Sequence, residues 1–149
     1  MPFYFLIMKR TTVTFDLLSI EGDGFHLLVE VLLNGKSSLM LIDTGASRTV
    51  FDRERIIHFI PDAVLTPADK KSTGLGTDSM QSHLVMLELF EIGELSLQNM
   101  EIVLLDLVHV NQSYEKIGLM AIDGVIGSDI LAEHKAVIDY EKKQLSLSF

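Results

Sequence analysis

Apolar and polar residues alternate along most of the chain, in short stretches separated by turn-forming residues. Phe25, Leu27, Val29, Val31 and Leu33 occupy every second position over nine residues, the period of a strand with one buried face. Asn34-Gly35 follows, the dipeptide favoured in a two-residue hairpin turn. Residues 39–42 are therefore predicted as the returning strand; they are apolar on both faces and so placed centrally in a sheet. Upstream, Val13, Phe15 and Leu17 alternate with Thr14 and Asp16, and Glu21-Gly22-Asp23-Gly24 reads as a turn. Downstream, residues 49–60 fit a short helix or a strand followed by a turn, and Pro61 and Pro67 bracket a loop. The polar stretch 72–82 precedes a strand over 84–92, Gly93-Glu94 makes a turn, and residues 95–107 read as one or two strands. Residues 111–116 read as a polar loop, Val125-Ile126-Gly127 as a short buried strand, and residues 128–134 as a short helix capped by Ser128 or Asp129. A final hairpin joins residues 136–140 to 145–149 across Glu141-Lys142-Lys143. The pattern predicts a mostly β protein.

Composition narrows the class. At 149 residues the chain is expected to form one domain, residues 1–149, large enough to bury a core unaided. It has no cysteine, which excludes a disulfide scaffold and thiolate chemistry. Hydrophobic residues make up 48% and charged residues 22%, the balance of a folded protein. The net charge of −9 repels phosphate backbones, so no nucleic acid partner is expected. The apolar run Phe3 to Met8 falls far short of the roughly 20 residues of a membrane span. Lys9 and Arg10 follow that run, where a signal peptide would carry its charges first. No membrane partner and a cytoplasmic location are the expectations.

The chemistry concentrates in Leu41-Ile42-Asp43-Thr44-Gly45-Ala46-Ser47. An apolar strand runs directly into a carboxylate, and a carboxylate at the end of a buried strand is costly unless something uses it. A plain turn would explain Asp43-Thr44-Gly45 by itself. About eighty residues later stands Asp123-Gly124-Val125-Ile126-Gly127-Ser128-Asp129, an apolar pair and a glycine leading into the predicted helix.

Together the two segments resemble the retropepsin-like aspartic proteases, the single-domain branch of the pepsin clan. The resemblance runs in order from Phe25 to Phe149: the hairpin entering Asp43, the glycine-rich Thr73-Gly74-Leu75-Gly76, the apolar-apolar-Gly segment and the final hairpin. It implies an all-β, closed acid-protease barrel with one short helix near the C-terminus. It implies Asp43 as the catalytic carboxylate, supported by Thr44, Gly45 and Ala46, and Gly74, Leu75 and Gly76 as the flap. By position relative to the motif, Leu41, Val50 and Val125 are candidates for the substrate pocket. Asp123 is a further candidate there, as a carboxylate favouring a basic or hydroxyl-bearing side chain, with a solvated turn as the plainer reading. Residues 1–12 have no counterpart and are read as an N-terminal strand or arm. No cofactor and no metal are implied.

The residue types suit the chemistry. Hydrolysis of a peptide by water needs a base to take a proton from the water and an acid to protonate the amide nitrogen. Two carboxylates about 3 Å apart cannot both ionise, so they share one proton and supply both roles. This chain has a single Asp-Thr-Gly: Asp123-Gly124 lacks the hydroxyl residue and Gly22-Asp23-Gly24 the preceding apolar strand. The second carboxylate is expected from a second copy, in a two-fold homodimer acting on a peptide or protein substrate. The alternative is a dimeric peptide-binding module of the same fold with little or no proteolysis. The apolar alternations at residues 145–149 and 3–8 are expected to pair across the dimer axis. Retroviral members often pair an acid at the position of Ser47 with an arginine at that of Ser128; here Asp129 and Arg48 are expected to pair instead.

Other signals are weaker. Gly35-Lys36-Ser37 ends like a phosphate-binding loop, but Glu30 replaces its first glycine. Gly45-Ala46-Ser47-Arg48-Thr49 begins like a nucleophile elbow, but Thr49 replaces its last glycine. His26, His58, His83, His109 and His134 show no paired metal-ligand spacing.

Overall fold

The computed structural model of the chain describes residues 7–20, 22, 24–67 and 82–149. The first alternation is divided between β1 (Arg10–Thr14) and β2 (Asp16–Ser19). The break falls at Phe15, whose ring is buried and whose N–H donates to the Lys143 carbonyl, and the two strands join different sheets. β3 (Phe25–Leu33) and β4 (Lys36–Ile42) form the predicted hairpin, with Leu33 opposite Lys36. Asn34 and Gly35 take φ of 50° and 79°, the two left-handed positions that such a turn needs. Of the two alternatives for residues 49–60, the strand followed by a turn holds: β5 (Val50–Asp52) is followed by a 3-10 turn over Arg55–His58.

The remaining elements are β6 (Thr66–Pro67), β7 (His83–Ile92), β8 (Leu95–Leu105), α1 (Val108–Lys116), β9 (Gly124–Ile126), α2 (Ser128–Glu133), β10 (Val137–Asp139) and β11 (Gln144–Ser148). The stretch 95–107 thus gives one strand, which ends at Leu105. The expected helix near the C-terminus is α2. Its cap position is taken by Gly127, with no side-chain cap bond, instead of Ser128 or Asp129.

The residues expected to form a polar loop, 111–116, belong to a helix. α1 sets Asn111 and Tyr114, one turn apart, against the barrel, with Leu107 just before them. One of the two buried positions inside the helix is polar, so no apolar stripe betrays it in sequence. Asn111 is satisfied by both polar groups of one residue: its Nδ2 donates to the Ile122 carbonyl at 3.1 Å and its Oδ1 accepts the Ile122 N–H at 2.8 Å.

Six strands close a barrel in the order β3-β4-β9-β5-β8-β7, and β7 returns to β3 through Leu32–Glu91 and Leu33–Phe90. β2 and β6 extend it beside β3 and β7. The fold is mostly β, as the alternation predicts, with a closed barrel, as the resemblance implies. Leu33, Met40, Phe51, Leu87, Phe90, Leu104 and Ile126 fill its interior. No helix among the described residues is long and apolar enough to cross a membrane.

The second sheet revises the expectation for the chain end. β11 lies between β1 and β10, antiparallel to both, so neither of its edges is open. Leu145 and Leu147 are 0% and 1% exposed and belong to the chain's own core. The alternation of residues 145–149 is covered within the chain, because β1 supplies the strand that a partner was expected to bring. Ile7 and Met8 are exposed, and residues 3–6 of the other apolar stretch lie outside the described residues.

Candidate active site

β4 ends at Ile42 and carries the chain straight into Asp43. The Asp43 N–H donates to the Ile126 carbonyl at 3.0 Å, which ties the start of the loop to the end of β9. The Ala46 N–H folds back to the Asp43 carbonyl at 3.2 Å. Within this tight turn the Gly45 N–H donates to Asp43 Oδ1 at 2.9 Å and orients the carboxylate. A Cβ on Gly45 would sit 3.3 Å from that same oxygen, so the residue without one gives the closest support. Asp43, Thr44 and Gly45 are exposed in the single chain, and Ala46 is half-buried. The Thr44 hydroxyl makes no hydrogen bond among the described residues.

The loop is held from beneath by residues that the sequence reading did not assign to this task. β4 and β9 run parallel, and β5 lies on the far side of β9, so residues 43–49 arch over the end of β9. Thr49 is the keystone. Its N–H and hydroxyl both donate to Asp129, at 2.9 and 2.7 Å, and its hydroxyl oxygen accepts the Gly127 N–H at 3.0 Å. The Ser128 N–H donates to the Ala46 carbonyl at 2.7 Å. Asp129 is therefore bound to Thr49 and to its own neighbour's N–H, and among the described residues it makes no ion pair with Arg48. A hydroxyl and an amide reach the carboxylate from directly above, and these two donors take the place expected of the arginine.

Leu41, Ala46, Val50 and Val125 come together. Register places Leu28, Leu41, Val125, Val50 and Val103 side by side across β3, β4, β9, β5 and β8. All five belong to an apolar cluster separate from the main core, and Ala46 packs against it. Strand alternation explains the division: Ile42 and Ile126 point into the barrel, while Leu41 and Val125 face this second cluster. Gly124 preserves the junction, since a Cβ there would lie 2.5 Å from the Val50 carbonyl oxygen and 2.8 Å from Met40 Cε.

α1 adds Leu107 and Tyr114 to the same cluster and is pinned at several points. Asp52, buried at the end of β5, accepts the Leu107 N–H at 3.0 Å, and Asn111 holds Ile122. The Tyr114 hydroxyl lies 2.6 Å from His26 Nδ1, and burial pushes its phenol above the usual value of 10.0. An Asp three residues before Arg55, whose N–H it accepts, was the available sequence signal for Asp52.

Asp123 is 5% exposed and both of its oxygens are engaged. Oδ2 accepts the Leu39 N–H at 2.9 Å and Oδ1 the Arg55 Nε–H at 2.7 Å, as an ion pair. It is not a solvated turn residue: it is bound beside Leu39, midway along β4, and its charge is matched by Arg55. Gly74, Leu75 and Gly76 lie outside the described residues.

Known proteins with this arrangement agree with one another. A family model described as aspartyl protease matches residues 29–130, which include the whole loop and β9. The crystal structure of a retropepsin-like aspartic protease from Rickettsia conorii superposes with a TM-score of 0.55 at 17% identity, over 100% of this chain and 98% of that one. The retroviral protease-like domain of Ddi1 from Leishmania major matches with a TM-score of 0.53 at 13% identity, over 82% of this chain and 87% of that one. EIAV protease, complexed with the inhibitor HBY-793, gives 0.52 at 15% identity, over 82% of this chain and 99% of that one. These likenesses are of fold. No curated protein matches the chain in sequence.

Proposed function

The chain belongs to the aspartyl protease family, and on that premise we propose that it is an aspartic endopeptidase whose active site forms between two copies. The observation that carries this reading is the Asp43 loop: an exposed carboxylate oriented by the Gly45 N–H, beside an apolar row suited to substrate side chains. Each copy brings one Asp43. The two carboxylates share a proton and hold a water between them. The ionised member takes a proton from the water, whose oxygen attacks the peptide carbonyl. The protonated member then gives its proton to the amide nitrogen, the C–N bond breaks, and the pair is left with one proton again. Thr44, whose hydroxyl makes no bond within the described chain, is available to cross to the partner loop. The Leu41, Val125 and Val50 row, with Ala46, supplies the pocket wall, and Gly74 to Gly76 the flap.

The test is cleavage of denatured protein substrates by the parent and by Asp43→Asn. The amide keeps the shape of the carboxylate but cannot take the proton from water. Expected is loss of cleavage with unchanged melting temperature and unchanged size in solution. Activity within tenfold of the parent would remove Asp43 from the mechanism.

A further inference from the structure

A cavity of about 440 Å³ opens on the outside of the barrel, within the range of roughly 300–1,000 Å³ in which small-molecule sites fall. Its walls come from β3, the start of β4, the 3-10 turn and the segment leading into β9. Glu30 and Leu39 stand opposite each other in register and alternate with Val29, Val31 and Met40 of the interior, so they face outward into it. None of Leu41, Ala46, Val50 and Val125 lines this cavity, and no part of the Asp43 loop does, so it is separate from the apolar row.

Two cations of the lining are held in place by the chain. The Arg55 Nε–H donates to Asp123 Oδ1 at 2.7 Å, and Asp123 is itself fixed, buried with Oδ2 on the Leu39 N–H. The other N–H groups of the guanidinium make no hydrogen bond among the described residues. Lys36 Nζ donates to the His58 carbonyl at 3.1 Å, which anchors the ammonium and uses only part of its donor capacity. A bond thus fixes each cationic head, and both line one concave site, unlike the cations standing singly on the surface. Asp123 already spends both oxygens on the chain, so Glu30, exposed and without a partner among the described residues, is the one carboxylate left to oppose an anion. Leu39 and Phe59 make the lining apolar beside these charges, and Met120, 75% exposed, adds a flexible thioether next to them.

We propose that this cavity binds a small organic anion, a carboxylate carried on an apolar body. Arg55 and Lys36 take the charged end, and Leu39, Phe59 and Met120 take the body. The guanidinium grips a carboxylate through two parallel N–H bonds, which fixes orientation as well as sign. The inference stands apart from the endopeptidase reading, since it uses no residue of the Asp43 loop.

The experiment titrates the full ¹⁵N-labelled chain with 4-phenylbutyrate, its neutral amide and 4-phenylbutylamine, reading backbone amide shifts residue by residue. The parent, Lys36→Gln and Glu30→Gln are compared; both substitutions are at exposed positions, and melting temperatures confirm that each variant is folded. Expected for the acid are saturable shifts at residues 36–39 and 55–59, with a Kd on the order of 1 mM for a probe of this size. The amide and the amine should bind at least about tenfold more weakly, the loss of a charge-assisted pair. Lys36→Gln should weaken the acid about fivefold and Glu30→Gln should tighten it about twofold, the scale of exposed charge contacts. An amine that binds as tightly as the acid overturns the proposal. So does an affinity for the acid unchanged in Lys36→Gln, or shifts that fail to saturate or that fall outside the cavity lining.

Discussion

Gly127 is required for lack of room, not for its backbone angle. Its φ of −101° is open to any residue. A Cβ there would meet the Arg48 carbonyl carbon and oxygen at 2.6 Å and the Ala46 oxygen at 2.8 Å. All three are backbone atoms of the loop that carries Asp43, so nothing flexible can give way. Gly127→Ala should cost about 1–3 kcal/mol in urea unfolding, the range for overpacking, and should reduce activity more than stability predicts because the loop itself must lift. Recovery of full activity in the folded fraction would show that the loop tolerates the shift. The two segments that carry Asp43 and Gly127 were legible in sequence because each is a short contiguous pattern, an apolar strand running into Asp-Thr-Gly and an apolar pair running into Gly. The Thr49–Asp129 bond was not legible. Its partners are 80 positions apart, and a threonine after an arginine carries no local mark of what it will hold.

Among the elements, α1 separates what periodicity detects from what it misses. β3 shows its period because Leu27, Val29, Val31 and Leu33 all face the barrel interior, although Leu28 on its other face is also buried, and its hairpin turn is written in two residues. α1 rests on the barrel through an asparagine and a tyrosine, so its buried face reads as polar although it is well satisfied. Hydrogen bonds hold the helix alongside the apolar contacts of Leu107 and Tyr114. Asn111→Ala should therefore leave the Ile122 N–H and carbonyl buried without partners and cost about 2–4 kcal/mol in unfolding free energy. Because Ile122 leads into Asp123 and β9, kcat/KM should fall as well. A loss below about 0.5 kcal/mol would mean that water replaces the amide at that position.

At the scale of the molecule, closure of the barrel was expected from resemblance, but the arrangement of the chain ends was not. The alternation at residues 145–149 announces a strand with something on each side; it does not say whether the neighbour comes from the same chain or another. β1 settles that for β11. In the two-copy reading the contact between copies must then use other surfaces, the Asp43 loop first among them. Specific activity should fall on dilution as copies separate, and should follow a bell against pH whose two limbs belong to the shared carboxylate pair. Activity per milligram constant down to concentrations at which light scattering reports single chains would refute the shared site. The pairing of β1 with β11 also has a consequence in time. Thr12 and Ser146 bond across 134 positions of chain, so β1 meets its strand partner long after it is made, with the Glu94 N–H on the Thr11 hydroxyl as an earlier contact. Closing so long a loop is slow compared with forming the β3–β4 hairpin. Until β11 is made, β1 waits without its ladder partner, and co-translational protection of Arg10–Thr14 by a chaperone would be most valuable then.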